Sequence, residues 1–396
     1  MIDLRYGRDC VESLREMEDG TVHCCVTSPP YWGLRDYGCE GQIGLEPTPD
    51  AYVAKMVEVF REVRRVLRDD GTLWLNVGDS YASNGVSGYQ SGLDEFAKRE
   101  RKQENNGPKT ALRKHGRAPT SDGMKPKDLC LIPWRLALAL QADGWWCRSV
   151  ICWAKKSCMP ESVTDRPTNS WEPIFLLAKS AKYFYDAEAV REPHEHGIKS
   201  EGEGGEYYGG KHGKGTGRSA ENGNVWNPKV RNYNPAGRNQ RNVWHLGPEP
   251  YAAAHFATFP SEIPRRAILA GTSARGCCPV CLAPWVRVVE KVPTGKKQKT
   301  GSNWDTGAGA HGSFHRNGRE TKPADQNVMA SKTIGWSQSC TCPPHEPIAC
   351  RVLDPFSGSA TTGQVAFSLG RDYIGLDLST EYLELARERC GGLFCK

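Results

Sequence analysis

The sequence contains no long hydrophobic run. Of its 396 residues, 38% are hydrophobic and 25% are charged, and no apolar stretch approaches the ~18 residues that a membrane-spanning helix needs. Residues 1–5, Met-Ile-Asp-Leu-Arg, lack the basic and then apolar pattern of a secretion signal. These absences argue against a membrane protein and a secreted protein, and we expect a globular protein located in the cytoplasm.

A strong excess of one charge is absent as well. The net charge is only +6, which suits a polyanionic partner where the basic residues are clustered. Cysteine, in contrast, is abundant. The 16 cysteines occur without a secretion signal, so we expect reduced thiols rather than disulfide bonds, with metal binding as the exception.

The apolar pattern predicts the fold class. Apolar residues between positions 50 and 68 recur at helical spacing, with Asp50 as the expected N-cap and Gly71 beyond the helix end. Residues 72–77 then form an expected buried strand. Further helices are expected over 133–142, 361–369 and 380–389, and further strands over 146–153, 351–354 and 373–378. This alternation predicts a doubly wound α/β fold, in which helices cover both faces of a mostly parallel sheet.

Three polar stretches, 83–127, 194–241 and 291–339, interrupt this pattern. They are rich in glycine or in Lys and Arg, and the second also contains tyrosine and tryptophan residues. One interpretation is that they are disordered surface insertions. The second is that they touch nucleic acid, because cations pair with phosphates and aromatic rings stack on bases. Composition does not decide between the two.

The clearest motif lies near the carboxyl end. Asp354-Pro355-Phe356-Ser357-Gly358-Ser359-Ala360 connects an expected strand to an expected helix. In an open parallel sheet, ligands bind at the carboxyl ends of the strands, and a glycine such as Gly358 lets the backbone approach a ligand closely. The next strand ends at Asp377, at about the spacing of a carboxylate that accepts hydrogen bonds from a ribose. The motif predicts a nucleotide-like ligand, with a purely structural turn as the alternative.

A second motif, Thr27-Ser28-Pro29-Pro30-Tyr31, ends an apolar run near the amino terminus. Prolines cannot donate to a sheet ladder, so the strand must stop there. The two motifs in this order resemble the beta class of amino-group DNA methyltransferases, in which the catalytic loop precedes the S-adenosylmethionine loop. The segments 71–81, 170–174 and 255–260 also resemble this family. Ala360 departs from it, because the family usually has a second glycine there.

The resemblance implies that the second motif is the catalytic loop. The target base must leave the duplex and enter a pocket. The Ser28 hydroxyl and the Pro29 carbonyl would accept the hydrogens of the target amino group, and Pro30 would help to fix the backbone. Tyr31 would stack on the flipped base, with Trp32 as a neighbouring wall. The methyl group would pass directly and in line to the nitrogen, without a covalent intermediate, because proximity and orientation supply most of the acceleration.

The resemblance also implies a binding site for S-adenosylmethionine. The expected residues are Asp354 for the methionine amino group, Phe356 and Gly358 along the cofactor, Asp377 for the ribose, Phe259 and Pro260 on the far side, and Asp9 toward the adenine. The assignment of Asp9 has an ordinary alternative, because Asp is common in turns.

Ser28, which precedes the two prolines of the catalytic loop, bears on which atom is methylated. In the resembling family, Ser at this position often accompanies cytosine N4 methylation and Asp more often accompanies adenine N6 methylation. We therefore expect cytosine N4, with adenine N6 as the alternative. Methylation of a ring carbon is disfavoured, because it needs a cysteine nucleophile, typically in a Pro-Cys dipeptide that this sequence lacks. A non-catalytic DNA-binding protein and an enzyme that methylates RNA or protein amides are two competing hypotheses.

Two cysteine pairs lie outside these motifs. Cys278 and Cys281 form a C-x-x-C pair, and Cys340 and Cys342 form a second pair after a long interval. Two thiolate pairs can build a tetrahedral four-cysteine zinc site, so we expect structural zinc. Cys277 and Cys350 are rival ligands, and plain reduced cysteines are the alternative.

The domain prediction combines these motifs. We expect one methyltransferase domain over 1–396, with a catalytic half at 1–192, a cofactor half at 253–275 and 350–396, insertions at 83–127 and 194–241, and a zinc-stapled target-recognition insertion at 276–349. The implied partner is double-stranded DNA, with the protein at the nucleoid when bound. A cognate restriction endonuclease and a dimeric state are compatible with the resemblance.

Overall fold

The structure is a computed structural model that describes residues 1–34, 36, 38–82, 124–158, 160–193, 236–249, 259–298 and 326–391. Most of the insertions predicted at 83–127 and 194–241, the middle of the one predicted at 276–349 and the start of the segment 253–275 lie outside the described residues. The chain divides into two compact units. One consists of Met1–Ala189, Arg241–Trp285 and Gln338–Lys396, and the second of Val190–Gln240 and Val286–Ser337.

Eight strands of the first unit form one sheet. They are β1 (Ile2–Tyr6), β2 (Val22–Thr27), β3 (Leu67–Asn76), β4 (Trp146–Lys155), β5 (Trp171–Ala178), β6 (Val243–Leu246), β9 (Arg351–Asp354) and β10 (Asp372–Asp377). Their order is β1-β10-β9-β2-β3-β5-β4-β6. All neighbours are parallel except β5, which runs antiparallel to both β3 and β4. The prediction of a mostly parallel α/β sheet is confirmed.

Six α-helices accompany the strands within the described residues. They are α1 (Cys10–Arg15), α2 (Pro49–Val66), α3 (Ile132–Ala142), α4 (Glu262–Gly271), α5 (Thr361–Ser368) and α6 (Leu383–Arg389), the last preceded by a short 3-10 turn at Thr380–Tyr382. None of the helices in this part of the chain is both long and apolar enough to cross a membrane.

The start of α2 corrects one sequence prediction. The N-cap is Thr48, whose side chain accepts a hydrogen bond from the Ala51 amide at 3.0 Å. Pro49 follows at the first helical position, which it favours because it lacks an amide hydrogen. Asp50, the predicted N-cap, lies instead in the first turn, where its negative charge suits the positive end of the helix dipole.

Strand β2 shows why helices cover both faces of the sheet. All six of its residues are buried, and neighbouring side chains of a strand point to opposite faces. Cys25 joins the core cluster that includes Met56 and Phe60 of α2. On the opposite face, the Cys24 side chain packs beside Gly271 at the end of α4, where an added Cβ would lie only 2.8 Å from its sulfur.

Strand pairing brings the two sequence motifs together. Cys25 of β2 pairs with Leu353 of β9, so the strands that lead into the two predicted loops are parallel neighbours. Tyr6 of β1 pairs with Asp377 of β10. The carboxyl ends of these four strands lie at one edge of the sheet, which is where ligands bind in open α/β sheets.

The second unit contains an antiparallel hairpin. Its strands are β7 (Val286–Gln298) and β8 (Gln326–Ser337), and their register begins with Val286 opposite Ser337. Arg287 lies over the Trp336 ring, 4.4 Å from its centroid, as a cation–π pair on the hairpin.

Candidate active site

Asp354, at the end of β9, is the centre of the predicted cofactor loop. Its carboxylate accepts hydrogen bonds from the Thr27 hydroxyl at 2.6 Å, the Thr362 hydroxyl at 2.8 Å and the Phe356 amide at 3.1 Å. Burial raises the pKa of Asp354 to about 6, although these donors favour the charged form. A carboxylate offers about four lone-pair positions, so one position remains for a further donor.

Asp377, at the end of β10, faces the same loop. One carboxylate oxygen accepts from the Gly358 amide at 2.7 Å and the second from the Ser379 amide at 2.9 Å. Burial raises the pKa of Asp377 as well. Each oxygen keeps a lone pair, which is the arrangement that a pair of neighbouring hydroxyls on a ribose requires. The free lone pairs of Asp354 and Asp377 therefore fit S-adenosylmethionine, the cofactor that the sequence resemblance implied.

Gly358 leaves room above this loop. Its φ is +49°, in the left-handed region, and a Cβ added there would meet nothing within 4 Å. Ala360 is also left-handed, with a φ of 56°, which explains why a glycine suits this position. The Ala360 side chain is buried, so this methyl group points into the protein and leaves the open space above Gly358 unfilled.

Tyr6 supports the cofactor loop and was not identified from the sequence. Its hydroxyl donates to the Gly358 carbonyl at 2.7 Å and lies 2.8 Å from the Ser357 hydroxyl, which also contacts the Tyr373 hydroxyl at 2.7 Å. Burial raises the pKa of Tyr6 beyond its usual range, so the phenol stays neutral. An aromatic residue at a strand end carries no sequence signal for this task, because the contact depends on pairing across the chain.

The catalytic loop is held from the neighbouring strands. The Tyr31 hydroxyl lies 2.9 Å from a carboxylate oxygen of Glu172 on β5 and 3.2 Å from the Asn76 side-chain oxygen on β3. The Ser28 hydroxyl lies 3.4 Å from the Tyr31 hydroxyl and 3.5 Å from the same Asn76 oxygen. Burial and the Glu172 charge raise the pKa of Tyr31, which keeps it a neutral donor.

Glu172 and Lys155 extend this network behind the loop. The Lys155 ammonium donates to the second Glu172 carboxylate oxygen at 2.5 Å. The Asn76 amide donates to Glu172 at 3.3 Å and to the Pro173 carbonyl at 3.2 Å, so its oxygen faces the catalytic loop. Glu172 lies in the segment 170–174 that resembled the family, but no chemical pattern in that segment predicted a role for this residue.

The prolines and Trp32 have different surroundings. The Pro30 carbonyl accepts from the Tyr52 hydroxyl at 2.9 Å, whereas no donor within the described part of the chain reaches the Pro29 carbonyl. The Trp32 ring is only 1% exposed, and its indole nitrogen donates to the Glu46 carbonyl at 2.9 Å. Trp32 is therefore a core residue, and its prediction as a wall of the base pocket was wrong.

Three further predicted residues are Asp9, Phe259 and Pro260. Asp9 caps α1 by accepting from the Val11 and Glu12 amides at 2.8 and 3.2 Å, which is an ordinary structural reason for an aspartate. Phe259 is half-buried, and Pro260 is buried just before α4. Helix α4 packs against α5, the helix that follows the cofactor loop.

The predicted metal ligands are also brought together. The ligand atoms of Cys278, Cys281, Cys340 and Cys342 lie within 4.8 Å of one another. The rival residues Cys277 and Cys350 belong to a separate buried group with His23. The sequence did not decide between the four predicted ligands and the rivals Cys277 and Cys350, whereas the structure places them in two different groups.

Comparisons with known proteins agree with this arrangement. The model of a family described as DNA methylase, of the N6/N4 type, matches residues 22–278 and 351–388. Type II methyltransferase M.SmaI of Serratia marcescens is 35% identical over 96% of this chain and 88% of its own length. M.Cfr9I of Citrobacter freundii is 36% identical over 98% of this chain and 87% of its own length.

A solved structure shares the fold. The PvuII DNA methyltransferase, described as cytosine-N4-specific, has a TM-score of 0.51 and 13% sequence identity over 98% of this chain and 86% of its own. The family match covers both loops at the sheet edge, and the two curated relatives cover nearly the whole chain. The chain therefore belongs to the amino-group DNA methyltransferases of the N4/N6 family, whose cofactor is S-adenosylmethionine.

Proposed function

We propose that this protein methylates the exocyclic N4 atom of a cytosine at a specific site in double-stranded DNA. The observation that supports cytosine N4 is Ser28, a neutral residue at the first position of the catalytic loop. The Ser28 hydroxyl lies 3.5 Å from the side-chain oxygen of Asn76, a buried residue. A hydroxyl that donates inward keeps its lone pairs for the target amine. The names of the curated relatives, Type II methyltransferases, support a site-specific DNA substrate.

The catalytic loop would act by orienting the amino group. The nitrogen is a weak nucleophile, because its lone pair is delocalised into the ring. The Ser28 hydroxyl and the Pro29 carbonyl would each accept one amino hydrogen and steer the nitrogen toward tetrahedral geometry. Tyr52 occupies the Pro30 carbonyl and thereby fixes the turn that presents Pro29. Long contacts such as those of Ser28 often shorten when the substrate is bound.

The cofactor loop would hold the methyl donor beside the base. S-adenosylmethionine supplies an electrophilic methyl group when it is bound. Asp377 would accept from the ribose, and Asp354 would accept from the methionine amino group with its remaining lone pair. The Thr27–Asp354 hydrogen bond joins the ends of β2 and β9, so the two loops are fixed side by side. This proximity is the main source of acceleration that the arrangement offers.

The test is the identity of the methylated nucleoside. Purified protein is incubated with S-adenosylmethionine and genomic DNA that lacks methylation, and the DNA is digested to nucleosides for mass spectrometry. We expect N4-methyldeoxycytidine, with no signal from the Ser28→Ala variant. N6-methyldeoxyadenosine would instead establish the adenine alternative. Failure to methylate any DNA, combined with normal DNA binding, would favour a non-catalytic binding protein.

A further inference from the structure

The four clustered cysteines have the geometry of a metal site. The sulfur atoms of Cys278, Cys281, Cys340 and Cys342 all lie within 4.8 Å of one another, and all four are free thiols. A tetrahedral zinc ion with bonds of about 2.3 Å to sulfur separates its ligands by about 3.8 Å. The cluster therefore needs only a small contraction to hold one ion.

The backbone of the first pair forms a tight turn around the cluster. The Leu282 amide donates to the Cys278 carbonyl at 2.9 Å, and the Cys278 amide donates to the Ala283 carbonyl at 2.9 Å. Leu282 has a φ of 60°, a left-handed conformation that a leucine rarely adopts without support. The Val280 amide lies 3.4 Å from the Cys278 sulfur. A turn that aims amides at sulfur suits a thiolate ligand.

The second pair has a donor of its own. The Gln338 side-chain amide donates to the Cys340 sulfur at 3.2 Å and to the Cys342 carbonyl at 2.8 Å. This side chain orients both cysteines of the pair at once. Hydrogen bonds of this kind around the ligands fix the direction of metal-binding groups.

Hydrophobic packing accounts for only part of this segment, because Cys278 is buried. Cys281 is exposed, and the neighbouring Val280 side chain is 64% exposed. The two pairs are also far apart in sequence, and the β7–β8 hairpin lies between them in the chain. A cross-link that closes such a long loop removes much conformational entropy from the unfolded chain. Metal binding supplies such a cross-link where a small core cannot.

The rival group is occupied by contacts within the protein. One His23 ring nitrogen accepts from the Arg351 amide at 3.0 Å, and the second lies 2.9 Å from the Leu282 carbonyl. The Cys277 sulfur donates to the Ala349 carbonyl at 3.6 Å. Both nitrogens of His23 are engaged, so this group does not compete for a metal ion.

We infer that Cys278, Cys281, Cys340 and Cys342 bind one zinc ion as a structural site. Four protein ligands leave no open position for water or substrate, which distinguishes a structural site from a catalytic one. Two contacts attach the turn to the sheet. Arg68, on β3, donates to the Cys281 carbonyl at 2.6 Å, and His23, on β2, contacts the Leu282 carbonyl. The ion would thus link the chain just before the β7–β8 hairpin, at Cys278 and Cys281, to the chain just after it, at Cys340 and Cys342.

The experiment measures metal content in the full-length protein purified without chelator. We expect about one zinc per chain in the wild type, as one four-cysteine site requires. Cys281→Ser is expected to lose the metal, while Cys281→His, which keeps a ligand, retains it. Cys158→Ser is the matched control, because Cys158 is exposed and lies outside both cysteine groups. Limited proteolysis is expected to cut within residues 276–285 or 338–350, which carry the two cysteine pairs, only in the metal-free variant.

Two results would overturn the zinc site. One is wild-type protein without zinc, and the second is zinc that stays bound in Cys281→Ser at the wild-type level. A titration of wild-type thiols with p-hydroxymercuribenzoate, followed with a zinc indicator, gives the same answer without a variant. Zinc is expected to leave as the cluster thiols react. None of these measurements depends on methyltransferase activity, so the site and the proposed function fail separately.

Discussion

At the scale of single residues, the site combines side chains that the sequence signals with side chains that it does not. Asp354, Asp377 and Ser28 stand in recognisable motifs. Tyr6 lies in an ordinary strand, and Asn76 lies in the segment 71–81, whose resemblance to the family gave this residue no role. Both reach the two loops only because distant strands pair. Local sequence carries no information on such contacts. The support of both loops therefore had to come from the structure.

The raised pKa of Asp354 gives the first prediction. The group has a pKa of about 6 in the free protein, so it is ionised above that pH and protonated below it. A cationic amino group binds the ionised form better. We expect the affinity for S-adenosylhomocysteine, measured by calorimetry, to rise between about pH 5 and pH 7 with a midpoint near 6, by up to about tenfold per pH unit below the midpoint.

The control for this prediction is Asp354→Asn, which cannot ionise. Its affinity is expected to be lower than that of the wild type at neutral pH and nearly constant over the same range. Asp377→Asn is expected to weaken binding and to keep a pH dependence, with the midpoint moved downward because the Asp377 charge raises the pKa of Asp354. An Asp354→Asn protein with the wild-type pH profile would assign the titration to another group.

Two tyrosines allow the loops to be tested against each other. Tyr31→Phe removes the hydroxyl that contacts Glu172 and Asn76, and Tyr6→Phe removes the hydroxyl that contacts the Gly358 carbonyl. Each change deletes hydrogen bonds worth about 1 kcal/mol.

We expect Tyr31→Phe to lower the single-turnover methyl-transfer rate about fivefold to tenfold with unchanged cofactor affinity. Tyr6→Phe is expected to lower the affinity by a similar factor with little change in the rate at saturating cofactor. If both variants lowered the methyl-transfer rate and the cofactor affinity equally, the catalytic loop and the cofactor loop would not have separate functions.

At the scale of elements, the sequence predicted periodic segments better than their ends. The helix near residue 50 was expected from its apolar spacing, and α2 confirms it. Its N-cap was missed, because Thr48 and Asp50 are both good caps and the choice depends on where Pro49 fits. Strand β5 was not among the predicted strands, and its antiparallel direction depends on pairing with β3 and β4 that the local sequence does not specify.

The loop after β3 offers a test at this scale. A Cβ added to Gly78 would lie 2.3 Å from the Tyr31 ring, closer than real Cβ contacts, so the ring must leave its present position beside Glu172. We expect Gly78→Ala to lower the methyl-transfer rate by at least as much as Tyr31→Phe, with the cofactor affinity retained. Gly247→Ala is the matched control, because an added Cβ there meets nothing within 4 Å. Wild-type rates in Gly78→Ala would show that the position of Tyr31 does not matter.

At the scale of the whole molecule, the two ends of the chain build one site. Thr27 near the amino terminus and Asp354 near the carboxyl terminus are joined by a buried hydrogen bond of 2.6 Å. The bond connects the strand that carries the catalytic loop to the strand that carries the cofactor loop. It also lowers the pKa of Asp354 against the effect of burial. The Thr27–Asp354 hydrogen bond thus holds β2 and β9 together, favours the charged form of Asp354 and fixes the start of the catalytic loop.

Removing this contact is the last prediction. Thr27→Val keeps the shape of the side chain and deletes the donor, so the pKa of Asp354 is expected to rise above 6. The midpoint of the pH dependence of S-adenosylhomocysteine binding should then move upward, and urea denaturation should show a loss of about 1–3 kcal/mol in the free energy of unfolding. Thr27→Ser, which keeps the hydroxyl, should retain the wild-type midpoint. If the midpoint of Thr27→Val also stays at the wild-type value, the hydrogen bond does not tune Asp354, and the two loops are coupled through the strand pairing alone.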